Sequence, residues 1–278
     1  MPLIAMTREM GSLGKDVAAG IAARHNGRVV YHEIIEPLAN KMRLRKSHVE
    51  RFLDGKSGIW ERLTTDQTSM SIFTADETFR FLKDGSTTVI RGWGAVHLLR
   101  HIPHVIRVRV CAPLETRIAR MMERLATDNR ETVESEIQLS EEAHSAITKR
   151  HFGVNWRDPE LYDLVLSTER LSVDECVEEV DSLMKKKCFQ ETAESVQLAH
   201  DLSLEWSVRS ALRRDPRTAD TRITVHCRGA VATLAGIVET AIESGAAAEL
   251  AAATEGIAGV NNQLRASDVA ASRFRREG

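Results

Sequence analysis

The chain has 278 residues, 42% of them hydrophobic and 28% charged, with a formal net charge of −2. That near-balance argues against nucleic acid or an anionic membrane as a bulk electrostatic partner, and the composition is that of a globular protein. No apolar stretch approaches the roughly 20 residues a spanning helix needs. Cys111, Cys176, Cys188 and Cys227 are too scattered for a zinc pattern and too few to staple a fold of this size. With no secretory leader read at the start, the expected location is the reduced cytoplasm.

The first predicted element is the short apolar run Leu3-Ile4-Ala5-Met6, continuous as in a parallel strand buried on both faces. A turn with Gly11, Ser12 and Gly14 follows, and then Lys15 opens a helix bearing Val17, Ile21 and Ala22 on one face. This is the layout of a phosphate-binding loop. Glycines let the backbone approach a phosphate, and the helix start adds unpaired N–H groups. Lys15 supplies a mobile point charge for the outer phosphates. The match to G-x-x-x-x-G-K-[ST] is incomplete, because Glu9 stands at the first glycine and Asp16 at the hydroxyl. Asp16 fits magnesium, or simply the acidic preference of a helix's first turn. Arg8, ending the strand, either reaches a phosphate or caps the loop.

Strands and helices then alternate. Arg28 to Tyr31 is a short strand, and residues 34 to 83 read as helices. Thr87 to Ile90 is a β-branched strand ending in Arg91-Gly92-Trp93-Gly94. A helix from Ala95 to Arg100 leads to the strand His104 to Val110. Helices fill 114 to 152, Tyr162 to Leu166 is another strand, and a helix spans about 173 to 186. Strands separated by helices predict an α/β fold, a parallel sheet with helices on both faces. Its ligand crevice is expected at the carboxyl ends of the strands. Arg117, Arg120 and Arg124 fall at i, i+3 and i+7, opposite Leu114, Ile118, Met121, Met122 and Leu125. That stripe is either a solvated face or a set of phosphate ligands. His97, His101 and His104 have no carboxylate at ligand spacing, and no metal site is read there.

Beyond Lys187 the character changes. Residues 188 to 196 read as a polar linker. Leu204, Val208, Ala211 and Leu212 mark an amphipathic helix stopped by Asp215-Pro216. Ile223, Val225 and Cys227 alternate with polar residues as in a half-buried strand, and Gly229 turns into a second strand from Val231. An alanine-rich helix over about 239 to 254 and a last strand to Leu264 complete a small α+β unit of αββαβ order. The segment 268 to 278 is a basic tail carrying Arg273, Arg275 and Arg276.

The stretches TREMGSLGKDVA, YHEII, VIRGWGAVHLLR, APLETRIARMMERL and FGVNWRDPELYDLVLSTERLS resemble, in this order, the cytidylate-kinase-like family of P-loop kinases. The resemblance implies a nucleotide loop, a helical acceptor region and a lid in residues 1–187. It implies transfer of the ATP γ-phosphate to CMP or dCMP with magnesium. Lys15 and Arg150 are then the expected catalytic cations. Arg8, Gly11, Ser12, Gly14, Lys15, Asp16, Arg120 and Arg124 are expected to bind ATP, Asp16 the metal, and Arg91 and Trp93 the acceptor. Two departures favour an alternative, a weak kinase or a nucleotide sensor. Gly92-Trp93-Gly94 stands where relatives have Gly-Arg-Gly, and residues 140 to 150 keep only Lys149 and Arg150 of a lid's cations. Trp93 either stacks on a base or fills core. RGAVATLAGIV and GIAGVNNQL resemble a BON domain over 197–267. That likeness implies a binding or regulatory module, or a scaffold touching phospholipid or envelope components. The basic tail is either a solvated end or a contact to acidic lipid.

Overall fold

A computed structural model describes residues 3–31, 33–53, 66–82, 86–92 and 94–267. Trp93, the segments 54–65 and 83–85 of the expected helical acceptor region, and the tail 268–278 lie outside the described residues. The chain forms two compact units. One comprises residues 1–65 and 84–195, the other residues 66–83 and 196–278.

The first unit holds a five-stranded parallel sheet in the order β2-β3-β1-β4-β5. Its strands are β1 (Leu3–Arg8), β2 (Arg28–Val30), β3 (Thr88–Arg91), β4 (Val105–Cys111) and β5 (Leu164–Ser167). β1 lies at the centre, pairing Ile4 with Val89 on one side and with Ile106 on the other. Its apolar run is therefore buried on both faces, which is why it reads as unbroken hydrophobicity. Helices α1 (Gly14–Arg24), α2 (Ile35–Met42), α3 (Lys46–Leu53), α5 (Ala95–Leu98), α6 (Leu114–Leu125), α7 (Arg130–Phe152) and α8 (Val173–Met184) belong to this unit. Val17, Ile21, Val177 and Val180 join Ile4, Met6, Val108 and Val110 in one buried cluster, which fixes α1 and α8 to the sheet. Ile118, Met121, Val133 and Ile137 hold α6 to α7. α8 opens with a capping box between Ser172 and Glu175.

The second unit is a three-stranded sheet in the order β6-β7-β8, with β6 (Thr224–Arg228) antiparallel to β7 (Val231–Val238) and β8 (Gly259–Ala266) parallel to β7. α9 (Ala193–Arg214) and α10 (Ala241–Ala252) supply Val208, Leu212, Ala247 and Ala251 to its core. Gly229 and Ala230 both have positive φ, and their N–H groups donate to Asp201 at 2.9 and 3.0 Å, closing the hairpin. The sequence reading began the helix near Leu204. The structure extends it to 22 residues from Ala193, taking in the end of the linker, which the sequence also read as helical.

This second unit also takes in α4 (Gln67–Arg80), from the middle of the expected kinase region. Asp66 caps α4, accepting from the N–H groups of Thr68 and Ser69. Arg213 on α9 donates to Asp66 at 2.6 Å and to the Ser69 hydroxyl at 2.7 Å. The Ser207 hydroxyl donates to Asp76 at 2.9 Å. Hydrogen bonds from Ser69 and Arg213 outweigh partial burial and hold the Asp66 carboxyl at about 2. The linear division expected from the sequence lacked this excursion.

Candidate functional site

The loop between β1 and α1 sits at the carboxyl end of the central strand, where an open parallel sheet places its ligands. Gly11 has φ +80, and Leu13, the residue preceding α1, is also left-handed at φ 56. Leu13 has no side-chain acceptor, so the first turn of α1 carries no side-chain cap. Its N–H groups remain a site for an anion. The loop is held from below. Ser12 is fully buried, its hydroxyl 2.8 Å from the Glu9 carbonyl oxygen and 3.1 Å from that of Val110. Thr168, just past β5, donates to the Ser12 carbonyl at 2.9 Å.

Both loop glycines are fixed by close approach. A Cβ on Gly11 would lie 2.8 Å from the Arg117 carbonyl oxygen, and one on Gly14 would lie 2.6 Å from the Arg8 Cβ. Gly11→Ala combines that collision with a strained φ, so we expect a loss of stability of about 1–2 kcal/mol from the backbone alone. Denaturant unfolding of the variant checks this, and wild-type stability would contradict it.

Lys15 and Asp16 are exposed at the start of α1, and their side chains make no ion pair or hydrogen bond with any described residue. The Arg8 side chain packs against Gly14, where a Cβ would also lie 3.3 Å from its Cδ. Glu9 is buried, as a carboxylate in place of a glycine must be justified by partners. It lies 2.7 Å from the Arg109 guanidinium and 3.4 Å from that of Arg117, and accepts from Ala112 N–H at 3.3 Å.

The arginine stripe on α6 is divided. Arg117 is buried, donating to the Ala112 carbonyl at 2.9 Å and pairing with Glu141 at 2.7 Å. Leu114 and Leu125, expected on the buried face, are 40% and 47% exposed. The opposite-face reading of α6 is thus corrected: long-range carboxylates draw Arg117 inward. Arg120 donates to the Thr168 hydroxyl at 2.9 Å and its carbonyl at 2.6 Å, beside the loop. Arg124 is exposed and has no partner among the described residues. The expected lid residues 140–150 lie inside the continuous 23-residue helix α7, with Lys149 and Arg150 exposed near its end.

At the carboxyl end of β3, Arg91 is buried with its guanidinium 4.2 Å above the Tyr31 ring. Gly92 and Gly94 both have positive φ, and the Gly92 N–H donates to the Met6 carbonyl at 2.9 Å. The FGVNWRDPELYDLVL segment builds the wall beside them. Trp156 is buried, with His144 stacked face to face at 4.2 Å and Arg109 and Arg157 over its ring at 5.2 and 5.5 Å. The Tyr162 hydroxyl donates to the Trp156 carbonyl. Burial, reinforced by His97, Arg8, Arg109 and Arg157, lowers His144 to about 4, and burial with Arg100 lowers His97 to about 4.

Both histidines are thus neutral at pH 7. The unfolded chain takes up protons from pH 6.5 downward that the native protein refuses, so stability falls as pH drops from 6.5 toward 4. We expect a lower denaturant midpoint at pH 5 than at pH 7, and a smaller fall in His144→Phe. An equal fall in that variant would contradict the assignment.

Residues 3–170 match the model of the cytidylate kinase-like family. The chain belongs to the cytidylate kinase-like family. Residues 200–268 match the BON domain model, so this family member carries a BON domain after its kinase-like region. No curated protein matches the chain in sequence. An uncharacterized protein from Eubacterium ventriosum is similar in structure at TM-score 0.53 and 18% identity, over 67% of this chain and 100% of that one. Shikimate kinase from Acinetobacter baumannii is similar at TM-score 0.40 and 12% identity, over 66% and 93%. The shikimate kinase of Bacteroides thetaiotaomicron is similar at 0.42 and 10%, over 66% and 99%. The parallel sheet with its glycine loop is a P-loop kinase-like fold, and the small separate sheet is that of a BON-like domain.

Proposed function

We propose that this family member transfers the γ-phosphoryl group of ATP to CMP or dCMP. The observation that carries the reading is the junction of residues 3–24. There an uncapped helix start, two sterically required glycines and the unpaired Lys15 converge at the end of the central strand. Phosphoryl transfer asks mainly for positioning and charge neutralisation, and this junction supplies both. Loop amides not already bonded within the turn take the donor phosphates, with Lys15 on the outer ones and Arg8 at the end of β1. Arg120 and Arg124 line the donor's far side, Arg150 supplies charge to the transferring group, and Arg91 faces the acceptor.

Asp16 is an exposed carboxylate without a described partner, one residue past Lys15. Magnesium is commonly held by one or two carboxylates together with substrate phosphates, and Asp16 fits that donor set. Held there, such an ion would supply charge neutralisation for the donor phosphates.

A second reading, a nucleotide sensor without turnover, draws support from Arg117 and Arg120. Their guanidiniums are committed to internal partners, and the lid segment is helical. The BON-like unit is then the responding module. A scaffold role on lipid draws support from Ile237 and Ile242, 69% and 78% exposed beside the turn between β7 and α10. A coupled assay with ATP, magnesium and a panel of nucleoside monophosphates separates the readings. Turnover with CMP supports the kinase, ATP uptake without turnover supports the sensor, and co-sedimentation of the full chain with anionic liposomes tests the scaffold.

A further inference from the structure

His97 is a polar group beside the loop with no task in the account above. It lies in α5, one turn past Gly94, whose carbonyl accepts its N–H at 2.9 Å. The residue is 5% exposed, and its Nδ1 is buried without a hydrogen-bond partner. Such an atom is costly to leave unsatisfied, and native proteins keep few of them. Its ring rests 4.8 Å from that of Phe152. Phe152 in turn is seated on the Gly94 backbone, where a Cβ would lie 2.5 Å from the aromatic ring. Imidazole, ring and glycine turn therefore form one packed corner at the carboxyl end of β3. On the other side of that turn, Gly92 faces Tyr31, whose ring carries the Arg91 guanidinium.

The cations acting on this corner are Arg8, Arg100, Arg109 and Arg157, with Arg109 paired to Glu9 and Arg157 paired to Glu141. Arg100 acts on His97, while His97, Arg8, Arg109 and Arg157 act on its neighbour His144. A neutral imidazole cannot hold an anion by charge, but it can exchange a hydrogen bond with an uncharged polar group.

We propose that His97 is a specificity-determining residue of the acceptor site, hydrogen-bonding a hydroxyl or amino group of the acceptor nucleoside monophosphate. The inference rests on the kinase reading and adds to it the recognition of the acceptor's uncharged part.

His97→Phe keeps the ring packing against Phe152 and removes both nitrogens, whereas His97→Asn restores a polar nitrogen near the Nδ1 position. With the full-length protein, CMP as acceptor and ATP as donor, His97→Phe is expected to raise the CMP KM about tenfold or more, the scale of one lost hydrogen bond. The ATP KM should stay within about twofold, and His97→Asn should recover most of the loss in CMP KM. A merely structural histidine would give His97→Phe a wild-type CMP KM and a raised melting temperature, and that result overturns the inference alone. Wild-type ATP uptake by calorimetry with no turnover of any monophosphate overturns it together with the acceptor assignment. Absence of ATP uptake removes the kinase reading itself.

Discussion

Lys15→Ala is expected to slow phosphoryl transfer from ATP by about 10²–10³-fold, the usual consequence of deleting one preorganised charge donor at a reacting centre. Lys15 is exposed and unpaired among the described residues, so its removal breaks no internal contact. The melting temperature should therefore hold while activity and ATP affinity fall together. That split separates a phosphate ligand from a structural lysine. Coupled-assay kinetics and a thermal melt on the same preparation check it, and wild-type turnover in the variant would contradict the role.

The second large effect is on stability. Glu9→Ala removes the carboxylate that faces Arg109 at 2.7 Å and Arg117 at 3.4 Å, leaving Arg109 short of a counter-charge in the protein's interior while Arg117 keeps Glu141. Breaking a buried pair from one side typically costs about 3–5 kcal/mol, which for a protein of this size is a fall of about 10 °C in Tm. Because Gly11 rests on the Arg117 backbone, the loop should loosen with it, and ATP affinity should fall as a consequence. Glu9→Gln keeps an acceptor for Arg109 and Ala112 N–H but not the charge, and is expected to lie between the two. Circular dichroism melting checks the order. A change below about 2 °C in Glu9→Ala would show that the network holds nothing in place.

What was legible in the sequence follows from how local each signal is. β1, its glycine turn and α1 were readable because an unbroken apolar run, Gly11 and Gly14, and the spacing of Val17, Ile21 and Ala22 all lie within two dozen residues. β3, β4 and β5 were placed within one or two residues by their β-branched runs. The parallel sheet and the αββαβ unit followed from element order. The arginine stripe on α6 was misjudged because a helical wheel cannot see Glu9 and Glu141, the carboxylates that pull Arg117 out of solvent. Glu9 itself had stood out only as a broken motif position; its purpose needs β4 and α6 beside it. The attachment of α4 to the second unit rests on Arg213 meeting Asp66, 147 positions away. His97 offered a lone imidazole on a short helix, and only packing shows that its Nδ1 is left without a partner. FGVNWRDPELYDLVL was distinctive as a string, yet the stacking of His144, Arg109 and Arg157 on Trp156 is a tertiary fact.

The account stands on the loop of residues 9–16 holding a polyphosphate. Calorimetric titration of the full-length protein with ATP tests this most directly. Saturable uptake below millimolar ATP, weakened in Lys15→Ala, is the predicted result; no heat of binding at millimolar ATP or ADP would contradict it.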